Sequence, residues 1–254
     1  MPLYMTSQGE VYFEQSGSGQ PLMLLHADGA SGIEYTSVIH RLAEHFQVIV
    51  VDFPGCGRSP RRAFSHDYYI ENAKAALNLS KELVKDPIWI IGNGGGAIAG
   101  LWMAILAPLK TRGVIADSLV EFFDLEDVQK DLLAHEKPSQ EMISFWNEMN
   151  GEDWQIVMNQ LDRVTVGIAE QKRSVFNWRL EEVTCPVLVT GSRHDHLLSS
   201  LAQRSLDLAE QLPLGKLILY PEGGHPSMWS QAASFWRDAL TFIDGHNQKP
   251  TQVP

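Results

Sequence analysis

Two cysteines in 254 residues, Cys56 and Cys185, stand far apart and share no metal-ligand spacing. That excludes a disulfide framework and a cysteine zinc site, and it leaves two reduced thiols. Basic residues are scarce as well: 20 Lys and Arg against 31 Asp and Glu, for a formal charge of -11. With no basic surface to neutralise phosphates, neither nucleic acid nor a membrane surface is an expected partner. No apolar run approaches the ~20 residues that span a bilayer. The opening MPLYMTSQGE has neither the basic nor the apolar stretch of a secretory signal, so a cytoplasmic protein is expected. Internal repeats and low-complexity segments are also missing. What is present, 44% hydrophobic and 20% charged residues, suits one α/β domain with a large core.

Apolar runs with β-branched residues occur at 21–27, 47–55, 87–92, 113–118, 185–192 and 216–223. Their nearly continuous hydrophobicity predicts strands buried on both faces. Helical periodicity fills the intervals 35–46, 69–84, 96–108, 199–212 and 228–244, which implies parallel strands joined by right-handed crossovers. The alternating EVYFEQSG at 10–17 predicts an antiparallel edge hairpin. Between 121 and 181 the alternation stops, and several amphipathic helices rich in Trp, Phe and Met replace it. An aromatic-rich insertion between two sheet strands is read as covering a cleft. The expected organisation is therefore an α/β core at 1–120 and 182–254, a helical lid at 121–181, and a polar, disordered tail at 246–254.

Open parallel sheets bind ligands beyond the carboxyl ends of their strands. In this chain those ends read LLHADGASG, VVDFPGCGRSP, IIGNGGGA, VIADS, VTGSRHDHLL and LYPEGGHPSMW. In that order, with the insertion where it is, they resemble the α/β-hydrolase superfamily, in the lid-bearing branch of esterases, lactonases, epoxide hydrolases, C–C hydrolases and cofactor-free relatives. The resemblance covers nearly the full chain outside the tail. It implies the α/β-hydrolase fold, a mostly parallel twisted sheet flanked by helices with an inserted helical lid, and a small-molecule substrate or ligand. No cofactor is expected.

In that family the nucleophile occupies the centre of G-x-S-x-G on a strained strand-to-helix turn, followed along the chain by an acid and then a histidine. Gly92 and Gly96 match the flanking glycines, Asn93 and Gly95 the variable positions, and Gly94 the nucleophile. The chain departs from the pattern at the reacting position itself. The resemblance implies His225 as the base and Asp195 as the acid that orients it, with Asp117 as an alternative acid one strand earlier. It also implies an oxyanion hole built from the backbone N–H groups of Asp28 and Gly95. Here His26-Ala27 replaces the family's usual His-Gly, and Asp28 brings a carboxylate beside the hole. Facing inward, that carboxylate would oppose an oxyanion; facing outward, it is a loop residue.

Residue chemistry supports these roles. Histidine titrates near neutrality, and a buried carboxylate fixes its tautomer and stabilises the imidazolium. His26, Ala27, Asn93, Phe122, Phe123, Phe145, Trp146 and Trp154 are the expected pocket lining, and the aromatics among them suggest an apolar or aromatic ligand. The triplet His194-Asp195-His196 does not suggest a metal, because adjacent side chains of an extended segment point to opposite sides. Cys56 lies in a turn with no basic partner implied nearby and reads as inert packing.

Glycine is locally the comfortable residue at such a turn, where a side chain costs about 1–3 kcal/mol. Three readings of Gly94 stay open. The chain is a carboxylester or lactone hydrolase that lacks its nucleophile and is inactive or strongly impaired, or a non-covalent catalyst in which His225 activates water or abstracts a substrate proton, or a small-ligand receptor without turnover.

Overall fold

The computed structural model describes residues 2–247. Eight strands form one sheet in the order β1-β2-β4-β3-β5-β6-β7-β8. The hairpin of β1 (Leu3–Thr6) and β2 (Gly9–Ser16) is antiparallel and sits at one edge, as the alternating pattern predicts. β3 (Gln20–Leu25), β4 (Phe46–Val51), β5 (Ile88–Asn93), β6 (Thr111–Asp117), β7 (Val187–Ser192) and β8 (Gly215–Tyr220) run parallel. Between them lie α1 (Thr36–Ala43), α2 (Tyr68–Leu83), α3 (Gly95–Leu106) and α7 (Leu201–Glu210), followed after β8 by α8 (Ser227–Ser230) and α9 (Ala232–Asn247).

The continuous apolar runs resolve into two faces because strand side chains alternate. Met23, Leu25, Ile49, Val51 and Ile90 face one layer, which contains α2 and α3 residues such as Ala76, Leu79, Leu101 and Trp102. Leu22, Leu24, Val48, Val50, Trp89 and Ile91 face the other, which contains Val38, Leu42, Phe235, Phe242 and Ile243 from α1 and α9. Both faces are buried along β3, β4, β5 and β7, whereas β8, expected to be equally buried, is exposed at Gly215 and Lys216 and half-buried at Leu217, Ile218 and Leu219 because it forms the sheet edge and has a neighbour on one side only.

Within the interval 121–181, three further helices, α4 (Leu125–Glu136), α5 (Gln140–Asn150) and α6 (Trp154–Glu170), stand between β6 and β7 in the chain. Asp124 caps α4 by accepting the Glu126 and Asp127 N–H groups, and Ser139 caps α5 by accepting that of Met142. α6 buries Trp154, Val157, Met158, Leu161, Val164 and Ile168, a spacing of three and four that marks one helical face.

The expected tail at 246–254 begins too early. α9 continues through His246 and Asn247, where the His246 Nδ1 hydrogen-bonds the Phe242 carbonyl and the Asn247 amide lies among Gln20, Trp89 and Arg112. Those polar anchors hold a turn that composition alone reads as loose. The rest of the predicted tail, 248–254, lies outside the described residues.

α3 meets the sheet without side chains in between. A Cβ at Gly92 would lie 2.5 Å from the Gly96 carbonyl carbon, and one at Gly96 would lie 2.0 Å from the Leu25 carbonyl oxygen. Ala would help a helix at position 96 by about 1 kcal/mol, but backbone cannot yield to a contact of that kind. We expect Gly96→Ala to destabilise the protein by roughly 3 kcal/mol or more in urea denaturation. Gly245→Ala, where a Cβ would meet nothing within 4 Å, should be neutral or stabilising.

Candidate active site

β5 ends at Asn93 and α3 begins at Gly95, so Gly94 alone makes the turn. Its φ of 51° and ψ of -117° form a conformation that side chains rarely adopt. The Gly94 N–H donates to the Asp117 carbonyl at 3.0 Å, and the Gly94 carbonyl accepts from the Ile98 N–H at 3.1 Å, so both ends of the turn are fixed. A Cβ on Gly94 would meet only the Ala27 Cβ, at 3.9 Å. The space above the turn is open.

His225 and Asp195 come together from the loops after β8 and β7, with Nδ1 and Oδ2 at 2.8 Å. The Asp195 side chain is almost wholly buried, at 1% exposure, against 16% for His225. Burial alone would raise the Asp195 carboxyl. The hydrogen bond and charge of His225, with the Leu198 and Leu197 amides at 2.8 and 2.9 Å, outweigh it and leave the carboxyl below its ordinary value. An ionised carboxylate only accepts, so the His225 Nδ1 carries the proton. Nε2 makes no hydrogen bond among the described residues.

Asp117, the alternative acid, has different company. Its Oδ1 accepts from the Thr190 hydroxyl at 2.6 Å and from the Ser227 hydroxyl, and its Oδ2 accepts from Ser118 at 3.1 Å and the Met228 N–H at 2.9 Å. Four donors fill its acceptor sites, and it makes no hydrogen bond to His225. It ties the end of β6 to the segment that follows His225.

Asp28 faces inward. A Cβ placed on Gly95 would lie 2.2 Å from the Asp28 Oδ1, so the carboxyl covers the first residue of α3. The Tyr69 hydroxyl donates to Oδ2 at 2.9 Å, whereas Oδ1 accepts no hydrogen bond among the described residues. Burial pushes the carboxyl up to about 6, and the Tyr69 hydrogen bond only partly opposes the rise. The backbone N–H groups of Asp28 and Gly95 donate to no other described group. The two amides expected to form an oxyanion hole are thus available, with a carboxylate beside them.

A cavity of about 370 Å³ opens over this turn. Of the residues expected around it, Ala27, Asp28, Gly94, Gly95, Phe123, Trp146 and His225 line it. The others do not. His26 is fully buried, with Nε2 accepting the Phe53 N–H at 2.9 Å and Nδ1 donating to the Ala27 carbonyl at 2.8 Å, which makes it a brace for the loop. Asn93 is buried beneath the turn. Phe122 packs on Trp178, Phe145 is 43% exposed, and Trp154 lies behind Trp146 with ring centroids 5.0 Å apart. An aromatic in an amphipathic helix points inward or outward by its place on the helical turn, and composition does not distinguish the two. The Cys56 thiol is enclosed and burial pushes it up to about 12, so it is an inert thiol at neutral pH.

Three polar features were not anticipated. Tyr69 reaches Asp28 across 41 positions of sequence, with no local motif to announce it. Glu34 accepts the Ala27 N–H at 3.0 Å, and burial pushes it up to about 8, so it is largely neutral at pH 7. His135 on α4 pairs with Asp162 on α6 at 2.8 Å, and both line the cavity from the insertion side.

A parallel sheet with a glycine-flanked strand-to-helix turn and a carboxylate–histidine pair at its carboxyl edge defines the hydrolase-like class of α/β proteins. The chain belongs to the alpha/beta hydrolase family, whose model matches residues 22–238. It is 24% identical to a 2-hydroxy-6-oxo-6-phenylhexa-2,4-dienoate hydrolase of Burkholderia cepacia over 93% of this chain and 92% of that one. It is 32% identical to a pimeloyl-[acyl-carrier protein] methyl ester esterase of Vibrio vulnificus over 92% and 98% of the two chains. Among solved structures, an enol-lactonase from Burkholderia xenovorans superposes with a TM-score of 0.74 at 13% identity, over 96% of this chain and all of the other. A thermophilic esterase from Thermogutta terrifontis superposes with a TM-score of 0.77 at 18% identity, over 97% and 99%. At those identities the solved structures share the fold.

Asp28 yields a pH-dependent prediction. Its folded pKa of about 6 lies above the ordinary 3.8, so folding favours the protonated form. That contribution is complete below about pH 4 and is lost as pH rises through about 6. The residue is partly open to the cavity, so the loss stays below the roughly 3 kcal/mol that a fully enclosed group with this pKa would show. Asp28→Asn should therefore raise the melting temperature at pH 7.5 by a few degrees and leave it unchanged at pH 4. Equal melting temperatures at both pH values would contradict the inward, desolvated placement.

Proposed function

We propose that this chain acts on a small, mainly apolar molecule of the carboxylester or lactone type without forming an acyl-enzyme. His225, oriented by Asp195, takes a proton from a water held over Gly94 or from the ligand itself. The insertion at 121–181 serves as the lid of the pocket. The observation that carries this reading is the His225–Asp195 pair, intact at 2.8 Å and facing a cavity whose floor is the side-chain-free Gly94. A water needs only about 10–15 Å³ of room together with polar partners, and the open space at Gly94 beside the free Nε2 offers both. In the cycle, neutral Nε2 accepts a proton as water attacks the carbonyl carbon, and it returns that proton to the leaving oxygen. The 32% identical relative is named a methyl ester esterase, and that name supports the ligand class.

A second reading has its own observation. A Cβ at position 94 is sterically free, while Gly92 and Gly96 are locked by backbone contacts. That favours a strongly impaired serine esterase whose turn would still accept the missing hydroxyl.

Short activated esters test both readings at neutral pH. The water mechanism predicts turnover by the chain as it stands, a loss of about 100-fold or more in His225→Ala, and no labelling by a fluorophosphonate probe. Turnover indifferent to His225→Ala would overturn it. The second reading predicts activity and labelling only after Gly94→Ser, and that variant should also lose about 1–3 kcal/mol of stability through its strained φ.

A further inference from the structure

In an ordinary ester hydrolase of this fold, the slot above the first amide of the helix is kept for developing negative charge. Here it is flanked by a fixed carboxylate. Asp28 Oδ1 lies over Gly95, and Tyr69 holds the other oxygen, so the carboxyl is set in place and does not swing at random. Near neutral pH a simple ester would build its oxyanion against that charge, in a poorly hydrated site where like charges interact strongly.

Among the described residues, the cavity has no uncommitted cation to offset Asp28. No described lysine lines it, Arg204 is paired with Asp127 at 3.2 Å, and His135 is paired with Asp162 at 2.8 Å. Asp131, which also faces the cavity, has no hydrogen-bond partner among the described residues, so the field inside is negative. An anionic ligand meets repulsion throughout.

We infer that Asp28 determines specificity, and that the pocket selects small apolar molecules bearing a protonated amine close to the reacting carbonyl, as in an aminoacyl ester or amino-lactone. The ammonium donates to the free Oδ1 and neutralises Asp28. The Asp28 and Gly95 amides are then left to receive the carbonyl oxygen. The substrate thereby supplies the counter-charge that the protein lacks, and no bond to Asp28 is made or broken. This inference rests on the ester or lactone reading for the identity of the carbonyl, although recognition of the ammonium does not require turnover.

Binding separates the two claims. Phenethylamine, phenethyl alcohol and phenylacetate share one apolar body and differ at its tip. Titration calorimetry at pH 7.5 on the intact chain should rank them ammonium, then alcohol, then carboxylate, with about tenfold between the first two, the scale of one charge-assisted hydrogen bond. Asp28→Asn should abolish the ammonium preference, and its melting temperature at pH 4, equal to that of the native chain, shows that the variant is folded. Equal affinity for the amine and the alcohol in the native chain, or an ammonium preference unchanged in Asp28→Asn, would overturn the inference. Loss of ester turnover in His225→Ala has no bearing on this ranking, so failure of the catalytic reading and failure of the recognition reading are seen separately.

Discussion

The site depends on one contact, the direct seating of α3 on the ends of β3 and β5. Gly92 and Gly96 leave no room there for a methyl group, since added Cβ atoms would fall 2.5 Å and 2.0 Å from backbone. That contact sets where α3 begins, and so it sets the φ and ψ of Gly94 and the direction of the Gly95 N–H. The turn is therefore shaped by backbone packing and by the Gly94 bond to the Asp117 carbonyl, and a nucleophile is not required to hold it. Removing a side chain at 94 relieves strain without dissolving the geometry. This is why the loops bearing Asp28 and His225 still converge on a position that holds no reacting atom.

The division of labour between the two candidate acids follows from counting acceptor sites. A carboxylate has about four. Asp117 commits all of them to Ser118, Thr190, Ser227 and Met228, and it serves as a clamp between β6 and the segment after His225. Asp195 spends one oxygen on the Leu197 and Leu198 amides and keeps the other for His225. The histidine is thus aimed by one carboxylate while its backbone is anchored by the other. Both acids lie at adjacent strand ends, and sequence position alone does not separate them.

What was legible in the sequence was what repeats or carries a local signature. The parallel strands announced themselves as apolar runs, and the elbow did so as clustered glycines whose spacing matches the close approach of α3. Asp195 and His225 could be picked out because each follows a strand. Contacts made across the fold were not legible. Tyr69 meets Asp28 only because α2 packs beside α3, and His135 meets Asp162 only because α4 packs on α6. The pocket aromatics were half legible for a related reason. Trp146 and Phe123 face the cavity while Phe145 and Phe122 turn away, a distinction set by packing angles and not by residue type.

The charges around the turn obey one rule. Four carboxyls are gathered close to it, Asp28, Glu34, Asp117 and Asp195, and only Asp195, which has a histidine to pair with, is held below its ordinary value. Asp28 and Glu34 are pushed up to about 6 and about 8 by burial, despite the Tyr69 hydroxyl on one and the Ala27 amide on the other. A single hydroxyl or amide thus softens the desolvation of an anion here without cancelling it, whereas the His225 partner together with the Leu197 and Leu198 amides does cancel it at Asp195. The same must hold for any negative charge that develops above Gly95 during a reaction. Two free amides form a weaker counterpart than they would in a hole without Asp28, because part of their field is already answered by the resident carboxyl. With the cavity's own cations bound to other acids, the electrostatic balance of this site must be completed by its ligand.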